Sequence, residues 1–248
     1  MKAKLEKILK ELFALGGNHN VDRMFELRDD FLAFLGEEEQ IFMQHDDDNI
    51  VIAKDAIRFI DSATELERTS DDVKAGAHMR YFYDRMIDKD RWHYYELKIL
   101  AGSLNRVVDV NQTFILADKA IEQLRHYQTD IFADVLAGVI AYHVLTRIFL
   151  AKFYEVDTHG IDLDAKFESW LLKLKLQLER TDRLAVHYKA VEIKQALFGF
   201  EPHEVERLMQ ELKSSCDEKI FRAIESEINF YMGKDRYTQL YKKKLLRG

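Results

Sequence analysis

Two pairs of residues have the spacing of metal ligands on one helix face. Glu122 and His126 are four residues apart, and His93 and Glu96 are three residues apart. A carboxylate-bridged di-iron bundle requires two Glu-x-x-His units and two further glutamates, and the sequence does not supply them. We therefore interpret both pairs as structural pairs or helix caps, and we predict no metal site.

The remaining reactive residues do not form a recognisable catalytic motif. Asp46-Asp47-Asp48 lacks the glycine and the terminal glutamate of a calcium loop, and is interpreted as a solvated turn. Cys216, the single cysteine, excludes an intramolecular disulfide, and no base can be assigned to it. The sequence contains no Gly-rich phosphate loop, His-Glu-x-x-His helix or Gly-x-Ser-x-Gly elbow. These observations predict a protein that is not an enzyme and uses no cofactor.

Helices must carry these side chains, because almost nothing in the chain interrupts a helix. The 248 residues include one proline, Pro202, and ten glycines, and apolar residues recur at steps of three and four. The pattern predicts an all-α fold, with Asn20 and Asp109 among the N-caps, Gly36 ending the second helix, and a loop at 156–161. The predicted helices cover about 2–15, 20–36, 37–45, 50–66, 71–87, 90–107, 111–127, 131–154, 164–180, 183–198, 202–214 and 218–232.

The helices recur in pairs, which predicts a repeat architecture. Antiparallel pairs at a period of about 35–42 residues are typical of a right-handed solenoid. The consensus tetratricopeptide pattern is missing, so we predict degenerate tetratricopeptide-like repeats. One helical repeat domain is expected over residues 1–232, followed by a basic C-terminal tail or capping helix at 233–248.

Charge and hydropathy limit the partners of the chain. Its net charge of −7 is unsuited to binding duplex DNA through phosphate contacts. The most apolar segment, 131–153, is interrupted by Asp134, His143, Arg147 and Lys152, and no uninterrupted apolar run reaches the roughly 20 residues that span a bilayer. A single cysteine suits a reducing compartment. We predict a cytoplasmic protein with no membrane partner.

A helical stack of this kind is suited to holding a peptide in a groove. The backbone amides of an extended peptide need hydrogen-bonding side chains, so polar residues within apolar helix faces are the candidate contacts. Arg147 stands among leucine, isoleucine and phenylalanine, and is either a groove contact or half of an internal ion pair with Asp134 or Glu155. The candidate peptide-binding residues are Asn105, Arg106, Tyr142, His143, Arg147 and Tyr188.

Two stretches of the chain carry a resemblance to a known family. The segment 91–100, Arg-Trp-His-Tyr-Tyr-Glu-Leu-Lys-Ile-Leu, lies between a helix ending in 81–86, Tyr-Phe-Tyr-Asp-Arg-Met, and the segment 113–127. An Asn-x3-Ala-x2-Ala-Ile pattern occupies 49–57. This organisation resembles the C-terminal domain of the Rgg/GadR/MutR transcriptional regulators, in which a tryptophan, an aromatic pair and Glu-Leu open a helix.

The resemblance implies a cytosolic bacterial regulator. Its helical repeat domain would sense a short, secreted and re-imported signalling peptide, as in quorum sensing, and would form a homodimer. Family members read DNA through an N-terminal helix-turn-helix head. Residues 1–15 form a plain amphipathic pattern instead, so DNA contact is expected only through a head absent from this chain. Gly102 also departs from the polar residue expected there.

Two further expectations concern surfaces. A wide apolar stripe after Pro202 predicts a two-fold homodimer through the C-terminal third. The stripe consists of Val205, Leu208, Met209, Leu212, Phe221, Ile224, Ile228 and Tyr231. The alternative to a peptide sensor is a helical adaptor or inhibitor that binds another protein. An adaptor should present a flat apolar patch, and a sensor a concave cleft with convergent polar groups.

Overall fold

The chain folds into α-helices. The computed structural model describes residues 2–15, 21–39, 48–69, 71–107, 109–127, 131–158 and 160–233. Of these residues 88% are helical and none is in a strand, which confirms the predicted all-α fold. Short 3-10 helices lie at 104–106, 125–127 and 182–184. The α-helices are α1 (Lys2–Ala14), α2 (Val21–Glu39), α3 (Asp48–Thr69), α4 (Asp72–Asp88), α5 (Tyr94–Ser103), α6 (Val110–Leu124), α7 (Ile131–Tyr154), α8 (Leu163–Leu178), α9 (Ala185–Phe198), α10 (Pro202–Ser215) and α11 (Glu218–Met232).

Aspartate caps and one proline set several helix starts. The Asp71 carboxylate accepts hydrogen bonds from the first-turn amides of α4, and Asp162 does the same for α8. Asp109 caps α6, as predicted, through the backbone N–H of Gln112 at 3.0 Å. Pro202 occupies the first turn of α10, where its missing N–H costs no hydrogen bond.

The predicted end of α2 and the predicted start of α5 are wrong. α2 continues past Gly36 to Glu39, because a glycine costs a helix only about 1 kcal/mol and packing can outweigh that. α5 begins at Tyr94 rather than at residue 90, because His93 is extended and its backbone N–H donates to the Glu96 carboxylate at 2.7 Å. This bond caps the helix, which confirms that the His93 and Glu96 pair has a capping role.

α3 extends to Thr69 rather than ending at residue 66, and the other described helices lie within about two residues of their predicted bounds when the 3-10 helices are counted. α7 and α11 have the predicted bounds, and the described part of 156–161 is non-helical. Some predictions fall outside the described residues. The predicted cap at Asn20, most of the predicted helix 37–45 and residues 234–248 of the predicted tail lie outside the described residues.

The chain forms two compact units, Met1–Leu136 and Ala137–Gly248. In the first unit, α3 contacts α1, α2, α4 and α5, while α4 also contacts α6. In the second unit, α9 contacts α8, α10 and α11. Contacts between neighbouring and next-neighbouring helices are compatible with stacked pairs. The single solenoid domain over 1–232 stays a prediction.

The apolar stripe after Pro202 is used inside the second unit. Seven of its eight residues, all except Met209, are buried in a core shared with α7 and α9, and Met209 packs against that core. Because amphipathic helices bury their apolar face against whatever packs beside them, the same pattern fits a core or a dimer. The proposed dimer surface is therefore wrong, and the homodimer itself stays a prediction.

α7 is the most apolar helix of the chain. Its residues Phe132–Tyr154 have the length and composition of a membrane span, with a mean hydropathy of 1.5. Within the structure, 61% of that window is buried. Such burial is typical of a core helix, so the length and composition are weak evidence for a span.

A buried ionic network joins three helices of the first unit. Asp55 of α3 and Glu96 of α5 are fully buried, and the Arg85 guanidinium of α4 bonds to both carboxylates, reaching Glu96 at 2.8 Å. Arg58 and Lys89 add a second cation to each carboxylate, at 2.8 and 2.9 Å. Burial raises the pKa of the Asp55 carboxyl to about 6, although the Arg85 and Arg58 guanidinium groups lower it.

This pKa predicts a pH dependence of stability. The folded chain binds the Asp55 proton more tightly than the unfolded chain, whose pKa is near 3.8, so stability should rise as the pH falls through 6. Between pH 7.5 and 5, wild type should gain about 1 kcal/mol relative to Asp55→Asn. Urea unfolding of both proteins at the two pH values measures this gain. A constant difference, or one of opposite sign, would contradict it.

Candidate functional site

A groove of about 740 Å³ runs between α4 and α6 in the first unit. Cavities of this size are typical of ligand sites. Its lining contains apolar side chains, neutral hydrogen-bonding side chains, and both basic and acidic side chains. The lining residues are Val73, Gly76, Ala77, Arg80, Tyr83, Asp84, Ile87, Arg106, Asp109, Asn111, Gln112 and Ile115. We call it the α4–α6 groove.

Tyr83 and Arg106 form the buried part of the α4–α6 groove. The Tyr83 hydroxyl donates to the Ser103 carbonyl at 2.7 Å, and the Arg106 guanidinium donates to the Ser62 hydroxyl at 3.1 Å. Ser62 in turn donates to the Ala75 carbonyl at 2.7 Å. Both lining side chains are therefore held in place before any ligand arrives.

Arg106 is also held from behind by an aromatic ring. Its guanidinium carbon lies 5.4 Å from the centroid of Phe59, within cation–π range. The same ring packs on Gly102, where an added Cβ would lie 3.0 Å from Phe59 Cε2. Glycine at 102 therefore makes room for the ring that supports Arg106.

Exposed apolar side chains and polar groups form the walls. Val73 on α4 is 63% exposed and Ile115 on α6 is 48% exposed, so both offer apolar surface to a ligand. Between them, the Gln112 amide donates to the Asp84 carboxylate at 3.0 Å and connects the two helices. Arg80, one turn before Asp84, is largely exposed and 4.0 Å from that carboxylate.

Two asparagine side chains at or beside the groove have unpaired acceptors. The Asn111 amide oxygen on the groove wall and the Asn105 amide oxygen in the adjoining 3-10 helix are buried and accept no hydrogen bond within the described part of the chain. An unpaired buried acceptor costs about 1–3 kcal/mol.

The other four predicted residues belong to the second unit. Tyr142, His143 and Arg147 lie on α7, and Tyr188 lies on α9. Arg147 is 9% exposed and lines neither the α4–α6 groove nor a smaller groove between α7, α8 and α9. The ring centroids of Tyr142 and His143 are 5.2 Å apart. The Lys175 ammonium lies 5.9 Å from the centroid of the Tyr188 ring. Their roles as peptide contacts stay predictions. Of the six predicted residues, Arg106 alone lines the α4–α6 groove, and Asn105 precedes it in the adjoining 3-10 helix.

Tyr142 belongs to a buried polar cluster that the sequence analysis missed. Lys194 of α9 is 1% exposed and donates to the Tyr142 hydroxyl at 2.9 Å, the Thr146 hydroxyl at 3.0 Å and the Glu227 carboxylate at 2.9 Å. We call these four residues the Lys194 cluster. It ties α7 and α11 to α9. A signal for it exists in the sequence, because residues 190, 191, 197 and 198 place Lys194 on an apolar helix face.

The charges of this cluster are strongly coupled. Burial alone would lower the pKa of Lys194, but the Glu227 carboxylate and the Tyr142 hydroxyl raise it above its ordinary value. Burial raises the pKa of Tyr142, and burial followed by the Lys194 charge lowers the pKa of His187. Lys194 therefore remains an ammonium group. The cluster is therefore suited to holding α7 and α11 against α9 rather than to transferring a proton.

The remaining reactive groups that the structure describes are candidates for metal binding and for nucleophilic reactivity. In the described residues, no group of three or more His, Cys, Asp or Glu side chains could hold a metal ion. Cys216 is half-buried against the second unit's core, and burial raises the pKa of its thiol. A raised pKa leaves less thiolate, so this cysteine is a poor nucleophile.

Comparison with known proteins gives no relative of this chain. No protein-family model matches the sequence. No curated protein and no solved structure matches it either.

Proposed function

We propose that this chain is the peptide-sensing regulatory domain of a cytosolic Rgg-like transcriptional regulator, and that the α4–α6 groove binds the signalling peptide. The composition of that groove supports this proposal most directly, because both fixed polar groups and exposed apolar side chains line it. Arg106 and Asn111 offer hydrogen bonds, while Val73 and Ile115 offer apolar contacts. An extended peptide presents the complementary set of groups.

The location of the groove supports the resemblance. Tyr83 and Asp84 belong to the segment 81–86, and Ile115 belongs to the segment 113–127, two of the stretches on which the resemblance rests. A right-handed solenoid of degenerate tetratricopeptide-like pairs and a homodimer belong to the same proposal. DNA contact would come from a helix-turn-helix head, since a net charge of −7 disfavours binding by this chain itself.

Blocking the α4–α6 groove should weaken peptide binding. Ile115→Glu places a charge on the exposed apolar wall, and we expect at least tenfold weaker binding at little cost in stability, because the side chain is half-exposed. Calorimetry with peptides selected from a hydrophobic pool by native mass spectrometry measures the effect. Phe25→Glu, at a similarly exposed position on α2, is the control and should bind as wild type does. Equal affinity in Ile115→Glu would contradict the assignment.

A helical adaptor or inhibitor is favoured by a different feature. Leu172 and Leu176, one turn apart on α8, are 59% and 47% exposed, and they offer apolar surface to a protein partner. If the chain serves as an adaptor, Leu172→Glu should release a co-purifying partner while Ile115→Glu should not. If the chain serves as a sensor, Ile115→Glu should weaken peptide binding and Leu172→Glu should not.

A further inference from the structure

A second groove, lined by phenylalanine rings, lies within the second unit. It encloses about 480 Å³ between the C-terminal part of α7, the start of α8 and the end of α9. Phe149 and Phe198 stack at 5.3 Å, and Phe149 also contacts Phe167 at 5.2 Å. The five rings at this groove, which we call the aromatic groove, belong to Phe149, Phe153, Phe167, Phe198 and Phe200.

The charged groups at the aromatic groove have an excess of carboxylates. Asp164 and Glu168 line it, and the Glu201 carboxylate lies against the lining residue Gly199, with its Oε1 3.6 Å from the position of an added Cβ. Lys152 is the one ammonium group in the lining, and it bonds to Asp164. Within the described residues, Glu168 in the lining and Glu201 beside it are exposed carboxylates that form no salt bridge.

Lys152 shows that this groove accommodates a cation. Its ammonium lies 5.8 Å from the centroid of Phe167, inside the distance over which an aromatic face attracts a cation. Lys152 uses Asp164 as its partner and leaves Glu168 unpaired. A second cation entering the groove would meet ring surface and a carboxylate together.

Phe200 holds a backbone conformation that favours glycine. Its φ is +58°, at the end of α9, where Glu201 N–H donates to the Ala196 carbonyl at 2.9 Å and Phe200 N–H donates to the Leu197 carbonyl at 3.0 Å. This is the Schellman arrangement, whose left-handed residue is usually glycine. A side chain there is strained, because its Cβ approaches the following carbonyl oxygen. The chain keeps a phenylalanine whose half-exposed ring lines the groove.

We propose that the aromatic groove binds an arginine side chain, flanked by apolar residues, of a partner peptide or protein segment. A guanidinium group stacks on aromatic faces and pairs with a carboxylate, and the groove offers the rings of Phe198 and Phe200 beside Glu168. This site lies in the second unit, and the α4–α6 groove lies in the first. The inference is therefore independent of the proposed function.

The test compares two probes that differ only in charge. Acetyl-Leu-Arg-Leu-amide and its citrulline counterpart have nearly the same shape, but citrulline is neutral. Their dissociation constants are measured by NMR titration of the whole chain. The arginine peptide should bind about tenfold more tightly, and the difference should shrink at high salt. Equal affinities, or no binding of either peptide, would overturn the proposal.

Four variants locate the binding, two in the aromatic groove and two controls outside it. Glu168→Gln removes the charge at an exposed position and should weaken arginine-peptide binding at least threefold, leaving the citrulline peptide unaffected. Glu179→Gln, on an exposed carboxylate at the end of the same helix, is the matched control. Phe200→Gly relieves the left-handed backbone strain but removes the ring, so it should weaken binding of the arginine peptide about tenfold. Ile115→Glu should leave arginine-peptide binding unchanged, and a loss there would assign the peptide to the other groove and overturn this proposal.

Discussion

Replacing Lys194 by alanine should lower the free energy of unfolding by about 3–5 kcal/mol, the usual effect of removing one partner from a buried ion pair. The substitution leaves the Tyr142 and Thr146 hydroxyls and the Glu227 carboxylate without the ammonium that they share. It also opens a cavity between α7, α9 and α11. Urea unfolding followed by circular dichroism measures the change.

Two further variants separate charge from packing. Lys194→Met keeps most of the volume and removes the charge, so it should be less harmful than Lys194→Ala. Lys189→Ala, on the same helix, breaks surface pairs with Glu192 and Glu211 and should cost no more than about 1 kcal/mol. If Lys194→Ala costs no more than Lys189→Ala, the cluster does not stabilise the fold.

Gly138→Ala should destabilise the second unit by about 1–3 kcal/mol, although alanine is the better helix former. An added Cβ at Gly138 would lie 2.2 Å from Leu184 Cδ1, and Leu184 is fully buried. Close packing of this leucine against the α7 backbone thus requires glycine. Thermal unfolding of the variant measures the loss.

The reason for that loss can be isolated by a double-mutant cycle. Leu184→Ala alone should cost about 2–5 kcal/mol through its cavity, and adding Gly138→Ala to it should cost little more or restore stability. Gly36→Ala on α2 is the control, because nothing lies within 4 Å of its added Cβ, and it should stabilise by about 0.5–1 kcal/mol. A stabilising Gly138→Ala would show that the contact relaxes freely.

Helix boundaries were predictable where local signals agreed. α7 and α11 follow their apolar patterns, and Pro202 begins α10. The start of α5 was not predictable from periodicity, because residues 90–93 fit the pattern but the Glu96 cap at His93 sets the boundary. The apolar stripe after Pro202 predicted burial correctly, but one sequence cannot say whether the same chain or a second copy covers it.

The candidate sites were less predictable, because they depend on which helices lie side by side. Arg106 was identified as a candidate contact, yet it shares a groove with Val73 and Tyr83 only because α4 packs beside the 3-10 helix and α6. Lys194 stands on an apolar face, a local signal that periodicity contains. Its partner Glu227 is 33 residues later along the chain, and only the packing of α11 on α9 brings the two together.

The core of the second unit is completed late during synthesis of the chain. Leu150 and Phe153 at the end of α7 pack in a core completed by α9, α10 and α11, ending at Tyr231. About 80 residues separate Phe153 from Tyr231, which at roughly 5–20 residues per second takes about 4–16 s to translate. During that interval the partners of α7 are made one after another, and its core stays incomplete. Chaperones that bind apolar segments on the ribosome therefore have a defined window on this chain, and it closes only when α11 is complete.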